Sequence, residues 1–211
     1  MTLATREIMQ LAPVIPVMVI DRVEDAVPLA NALVAGGLKV LEITLRTPAA
    51  LESIRLIKQA VPDAVVGAGT IVNVGNLHDA LAAGAGFIVT PGTTAAIVDA
   101  CVEAGVPLLP GVNTPSEAMT LLERGFDCLK FFPAEAAGGV AMLKALGGPL
   151  PQLRFCPTGG ITPANAPSYL ALANVSCVGG SWMAPAELVQ AGDWAEIERR
   201  AAQAALLGAA G

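Results

Sequence analysis

One lysine stands where a soluble protein seldom leaves one. Lys130 lies inside the run Cys128-Leu129-Lys130-Phe131-Phe132-Pro133, and the whole chain has only four lysines. Lysine is almost never fully buried unless paired, and burial disfavours its charged form. A neutral amine is the form that attacks a ketone and builds an iminium. The structural alternatives are a side chain snorkelling from an exposed strand end or a plain ion pair with Glu42. Glu42 is the second intrusion, in Val40-Leu41-Glu42-Ile43-Thr44-Leu45-Arg46. Alternation places Leu41, Ile43 and Leu45 on one face and Glu42, Thr44 and Arg46 on the other. If the apolar face meets helices, the charged face points inward. An internal Glu–Arg pair that only holds the fold together fits the same pattern.

Glycine marks further positions. Gly67-Ala68-Gly69-Thr70 puts two glycines in an apolar run, a sign of close approach by another group, and leaves Thr70 at the run's end, where capping the next helix is its plain alternative. Pro157-Thr158-Gly159-Gly160 and Gly179-Gly180-Ser181-Trp182 each end in a Gly-Gly turn. Such turns present backbone N–H groups that suit a phosphate, or they are simply tight turns.

These residues need a frame to bring them together. Eight short apolar runs recur along the chain: Val14–Ile20, Val40–Leu45, Ala64–Thr70, Phe87–Gly92, Pro107–Val112, Cys128–Pro133, Arg154–Gly160 and Val175–Ser181. Their length and flanking Gly or Pro predict strands. Between them lie helix-start signals, Thr47-Pro48, Thr114-Pro115 (with Glu117 completing a capping box) and Thr162-Pro163. Gly36, Gly84, Gly105 and Gly125 read as left-handed helix ends. A last helix is expected from Asp193, boxed by Glu196, with Trp194, Ile197 and Ala201 on its apolar face. Strands alternating with helices predict a parallel sheet, and eight units predict a single α/β domain over residues 1–211, closed as a (β/α)8 TIM barrel. A short helix within residues 2–11 is expected to cover the N-terminal mouth. A doubly wound open sheet is the alternative, but no GxGxxG follows the first run. In a barrel, Glu42, Thr70, Lys130 and the two Gly-Gly turns all fall at the C-terminal strand ends, where such folds do chemistry, and the last two strands are a common phosphate site.

Composition narrows the partners. The chain is 54% hydrophobic and 14% charged, with net charge −6. No apolar run is long enough to cross a membrane, and parallel strands covered on both faces account for the hydropathy. With 12 Lys+Arg and few aromatic residues, there is no footprint for nucleic acid. The segment Met1 to Gln10 carries Arg6 and Glu7 and lacks the apolar core of a secretory signal. Cys101, Cys128, Cys156 and Cys177 form no CxxC pair, and His78, the only histidine, falls on an expected surface helix. No metal site, no cofactor and no disulfide is expected, and a cytoplasmic location is. Lys39 begins its run and reads as structural.

Val-Leu-Glu-Ile-Thr-Leu-Arg-Thr (40–47), Val-Gly-Ala-Gly-Thr (66–70), Leu-Lys-Phe-Phe-Pro-Ala-Glu (129–135), Arg-Phe-Cys-Pro-Thr-Gly-Gly-Ile (154–161) and Gly-Gly-Ser-Trp (179–182) together resemble the 2-keto-3-deoxy-6-phosphogluconate (KDPG) aldolase family of the Entner–Doudoroff pathway. The likeness runs from about Pro13 to the last helix. It implies a metal-independent class I aldolase, typically a homotrimer, acting on a phosphorylated keto-deoxy sugar acid and yielding pyruvate and glyceraldehyde 3-phosphate. Some members also cleave 4-hydroxy-2-oxoglutarate. By position, the resemblance makes Lys130 the Schiff-base lysine and Glu42 the general acid/base. It gives Arg46 and Thr70 the substrate carboxylate, Phe132, Thr158 and Pro91 the pocket, and Gly159, Gly160, Gly180 and Ser181 the phosphate. The alternatives are an aldolase for the galactonate epimer, a phosphosugar isomerase using Glu42 without a covalent Lys130, and a phosphosugar-binding protein without turnover.

Overall fold

The computed structural model describes residues 3–208, so both extremes of the expected 1–211 domain lie outside the described residues. In chain order the elements are α1 (Thr5–Gln10), β1 (Val14–Met18), α2 (Ala26–Ala35), β2 (Val40–Thr44), α3 (Ala50–Ala60), β3 (Val65–Gly69), α4 (Val74–Ala82), β4 (Phe87–Val89), α5 (Ala95–Ala104) and β5 (Leu108–Leu109). They continue with β6 (Gly111–Val112), α6 (Pro115–Glu123), β7 (Cys128–Phe131), α7 (Gly139–Gly147), β8 (Arg154–Pro157), α8 (Ala166–Leu170), β9 (Val178–Gly180), α9 (Ala186–Ala191) and α10 (Trp194–Ala205). No helix among the described residues is long and apolar enough to cross a membrane.

This is an α/β fold in which every strand pairing is parallel. One sheet has six strands in the order β5-β4-β3-β2-β1-β9, and a second has three, β6-β7-β8. The expected strand Pro107–Val112 is two strands, because Pro110 has no N–H for the ladder. The buried Thr90 hydroxyl substitutes, accepting the Gly111 N–H at 2.9 Å. On the other side, isolated parallel bridges Phe155↔Val175 and Thr158↔Gly179 tie β8 and the residue after it to β9 and the segment leading into it.

Strand alternation sorts the core into two layers. Leu41, Ile43, Leu129, Phe131, Phe155 and Val178 join the large cluster formed with the helices. Val40, Cys128, Cys156 and Cys177, from the opposite strand face, form a second cluster with Ile15 and Phe87. Ile8 and Met9 of α1 belong to that inner cluster, so the N-terminal helix does plug the end where the strands begin. Full burial of side chains of this size contributes about 1.5–3 kcal/mol each. All four cysteines are buried free thiols in these clusters.

The punctuation signals hold in part. Thr114 caps α6 with Glu117 in a reciprocal box. Thr47 does not cap α3: its hydroxyl donates to Ile20 O at 2.5 Å, and the helix begins after Ala49. Thr162 closes a turn with Asn165 instead of a helix, and α8 starts at Ala166. Asp193 accepts the Glu196 N–H, but the Glu196 carboxylate binds Arg199 and Arg200 instead of returning to the cap. Behind it, Ile197 and Ala201 are buried and Trp194 packs partly buried against the core, as its helical spacing predicts. Gly84, Gly105 and Gly125 are left-handed as expected, whereas after α2 that residue is Gly37, not Gly36. Gly36 is small for another reason: a Cβ there would stand 2.5 Å from the Ala201 Cβ of α10.

Candidate active site

At the C-terminal ends of the strands, two buried charges meet. Glu42 and Lys130 lie on the inward faces of β2 and β7, in different sheets. The Lys130 ammonium nitrogen Nζ stands 2.9 Å from Glu42 Oε1, and their side chains are only 6% and 3% exposed. The internal Glu–Arg pair envisaged from the sequence is replaced by this Lys–Glu pair. Such proximity of an amine and a carboxyl allows a proton to pass directly between them.

Neighbouring backbone is shaped around the pair. A Cβ on Gly69 would fall 2.2 Å from Glu42 Oε1, so β3 leaves this position bare to admit the carboxylate. The close approach inferred from the two glycines is therefore real, and Gly67 likewise makes room for the Phe87 ring. The next residue, Thr70, adopts φ of 60°. Left-handed backbone is a genuine outlier for a β-branched residue and costs on the order of 1–3 kcal/mol. Thr70 does not cap α4; Asn73 does, accepting the Asn76 N–H at 2.8 Å. Its hydroxyl instead faces Arg46, whose Nε donates to Thr70 Oγ1 at 3.3 Å. Arg46 lies past the end of β2 and is exposed, leaving other guanidinium N–H groups open to a ligand. Thr44, between Glu42 and Arg46, is structural: its hydroxyl donates to Met18 O at 2.8 Å.

The opposite wall comes from β7 to β9. The Phe132 ring centre lies 5.5 Å from Lys130 Nζ, within the range of a cation–π contact. Asn113, a residue the sequence reading passed over, donates from Nδ2 to Phe132 O at 3.0 Å. Its position just past an apolar run, at the C-terminal strand ends, was the signal available. Thr158 is buried, and its hydroxyl has only long partners, Cys156 O at 3.4 Å and Cys156 Sγ at 3.9 Å. Gly179 stays bare beside it, since a Cβ would lie 2.3 Å from Thr158 Oγ1. Pro91 is half-buried beyond β4 and abuts Gly111; no hydrogen bond or ion pair links it to Lys130 or Glu42 among the described residues.

Gly159 and Gly160 take φ of 99° and 77°. They form an irregular turn beside the end of β9, where Gly180 is buried and Ser181 exposed. Neither Gly-Gly turn runs straight into a helix: α8 and α9 begin only after intervening turns, so backbone N–H groups of the turns, not a helix terminus, are the donors on offer. His78 and Lys39 are exposed and away from this cluster. No group of three side chains suited to a metal ion occurs among the described residues.

A cavity of ≈ 510 Å³ opens at the other end of the strands, beside Arg6, Cys101, Phe126 and Cys128. Its chemistry is poor. Burial pushes the Cys101 thiol up to about 11, and burial with the neighbouring Asp127 pushes Cys128 up to about 12. Both thiols stay protonated and weakly nucleophilic.

The chain is similar to known proteins over nearly its whole length. The profile of the family described as KDPG and KHG aldolase matches residues 5–200. The chain is 51% identical over 208 residues to the 2-dehydro-3-deoxy-phosphogluconate aldolase of Pseudoalteromonas atlantica, spanning 99% of this chain and 96% of that one. It is 50% identical over 201 residues to the KHG/KDPG aldolase of Escherichia coli, spanning 95% and 94%. Among solved structures, the KDPG aldolase of Legionella pneumophila, with pyruvate captured as a covalent carbinolamine, superposes with a TM-score of 0.93 at 48% identity, covering 95% of this chain and 97% of that one.

Proposed function

The chain belongs to the KDPG and KHG aldolase family, and from that premise we propose that Lys130 forms a Schiff base with the C2 ketone of 2-dehydro-3-deoxy-6-phosphogluconate. The protein is an aldehyde-lyase of the Entner–Doudoroff route that releases pyruvate and glyceraldehyde 3-phosphate, with 4-hydroxy-2-oxoglutarate as the second substrate that the KHG name covers. The reading is carried by one observation, the 2.9 Å Lys130–Glu42 hydrogen bond in a site almost closed to water.

The steps follow from that pair. A proton passes from the Lys130 ammonium to Glu42 along the hydrogen bond, and the free amine adds to C2 to give a carbinolamine. Glu42 returns a proton to the departing hydroxyl, and water leaves an iminium. The iminium nitrogen takes up the electron pair of the C3–C4 bond as it breaks, while Glu42 removes the C4 hydroxyl proton. Glyceraldehyde 3-phosphate departs. Glu42 then protonates C3 of the enamine, and hydrolysis frees pyruvate and Lys130. Arg46 is suited to the planar substrate carboxylate through its fork, with the Thr70 hydroxyl beside it. Phe132, Thr158 and Pro91 line the pocket. Gly159, Gly160, Gly180 and Ser181 hold the phosphate, remote from the breaking bond, where binding orients the substrate.

The single domain closes as a (β/α)8 barrel, supported by the bridges from β8 to the β9 segment and by chain continuity through Pro110. A cytoplasmic homotrimer completes the proposal; exposed Val19 and Val72, beyond β1 and β3, offer apolar surface for its contacts, and a sedimentation mass of one chain would remove it.

Borohydride reduction in the presence of pyruvate, without added metal, tests the chemistry. A stable pyruvyl adduct mapped by peptide mass to Lys130 is expected. No adduct, or one on Lys39, Lys58 or Lys144, sinks the role given to Lys130.

A further inference from the structure

We propose that Glu135, held by the buried hydroxyl of Tyr169, is a positioning residue for the phosphate end of the substrate. This rests on the phosphate site assigned above to Gly159 and Gly160. Glu135 lies in the turn after β7 and is exposed, whereas Tyr169 on α8 is fully buried. The Tyr169 hydroxyl nevertheless donates to Glu135 Oε1. A buried phenol ordinarily needs such a partner, but here the partner belongs to a surface turn beside the active end. Burial, reinforced by Glu135, pushes the phenol's pKa well up, so Tyr169 stays a donor across the physiological range.

Glu135 and its neighbour Ala134 are fastened to the glycine turn in three further ways. Its N–H donates to Gly159 O at 3.1 Å, and the Ala134 N–H donates to Thr158 O at 2.8 Å. Its stem lies along Gly160: a Cβ there would stand 2.6 Å from Glu135 Cγ and 2.8 Å from its Cβ. On the far side of the turn, Asn165 Nδ2 donates to Gly160 O at 3.0 Å. Two consecutive residues with positive φ and no side chains cannot brace themselves. Their N–H directions are therefore imposed from outside, by Glu135 on one side and Asn165 on the other.

The Tyr169 bond also fixes where the negative charge of Glu135 sits. With Oε1 bonded to the phenol, the carboxylate is held in one place. Without the phenol, the carboxylate is free to swing over the turn, where like charges repel. Both effects act on phosphate affinity and leave the Lys130–Glu42 pair, which neither residue contacts, outside their reach.

Two readouts separate these possibilities. One is KM and kcat for 2-dehydro-3-deoxy-6-phosphogluconate. The other is the pyruvate concentration that half-saturates borohydride inactivation, which involves no phosphate. Tyr169→Phe and Glu135→Ala are expected to raise KM roughly ten-fold, the scale of one lost hydrogen bond to a charged group, while the pyruvate value moves less than about two-fold. Glu135→Gln, whose amide oxygen still accepts from Tyr169, is expected to restore most of the affinity. Parallel losses in both readouts would mark a merely structural contact and overturn the proposal, as would an unchanged KM in Glu135→Ala. If Tyr169→Phe fails to fold, the two Glu135 variants decide the matter, because that side chain is exposed. A wild-type enzyme that binds the phosphorylated and unphosphorylated sugar acids equally well would remove the phosphate site itself, and this proposal with it.

Discussion

The two ends of the strands each carry a cation beside a carboxylate, and the pairs behave as opposites. Lys130 and Glu42 at the C-terminal end are 6% and 3% exposed; Arg6 and Asp127 at the N-terminal end are 40% and 48% exposed, though bonded at 2.5 Å. The exposed pair is solvated and screened, so it contributes little: about 0–1 kcal/mol. The buried pair has lost its water, and its two members depend on each other. The ≈ 510 Å³ cavity lies at the solvated end, away from the buried pair. A titratable pair excluded from water is what marks a candidate functional site.

Substitutions can break or sharpen that contrast. The largest effect is expected from Glu42→Gln, which keeps the shape but cannot carry the proton. It should lower kcat by roughly 10²–10⁴-fold, the range for a lost general acid/base, in steady-state assays of pyruvate release. A value near wild type would reduce the buried pair to a structural one. Next comes Gly69→Ala, whose methyl would collide with the Glu42 carboxylate. Displacing that carboxylate by about 1 Å should cost on the order of 100-fold in kcat/KM; full activity would show that the close fit has no consequence. The smallest effect is expected from Arg6→Ala. Thermal or urea unfolding should change by less than about 1 kcal/mol and kcat should stay at the wild-type level. A larger loss would mean that the solvated pair matters more than its exposure allows.

Much of this site was readable because its residues violate their surroundings. Lys130 and Glu42 interrupt apolar strands, and strand alternation pointed Glu42 inward. The glycines at 67 and 69 announced crowding, although not that the crowding group at Gly69 would be Glu42. What escaped the sequence depends on tertiary partners. Thr47 looks like a cap until the Ile20 carbonyl is brought beside it by folding. Thr70 carries no local mark of its left-handed backbone, because the residue type disfavours it and only the surrounding strand ends and Arg46 hold it there. Pro110 splits one expected strand into two by lacking a donor. Tyr169 and Glu135 are 34 positions apart, and neither periodicity nor spacing links an aromatic residue on a short helix to a glutamate in a turn.

The Lys130–Glu42 bond joins positions 88 apart, one in the six-stranded sheet and one in the three-stranded sheet. It therefore works as a clasp between two halves of the chain, and such distant pairings form late because loop closure must precede them. An unfolded chain that has rebuilt only one sheet holds one member of the Lys130–Glu42 pair, and on the role proposed for that pair it has no catalyst. Return of aldolase activity during refolding is thus a clock for the final docking of the halves, whereas recovery of helical signal times only the assembly of each.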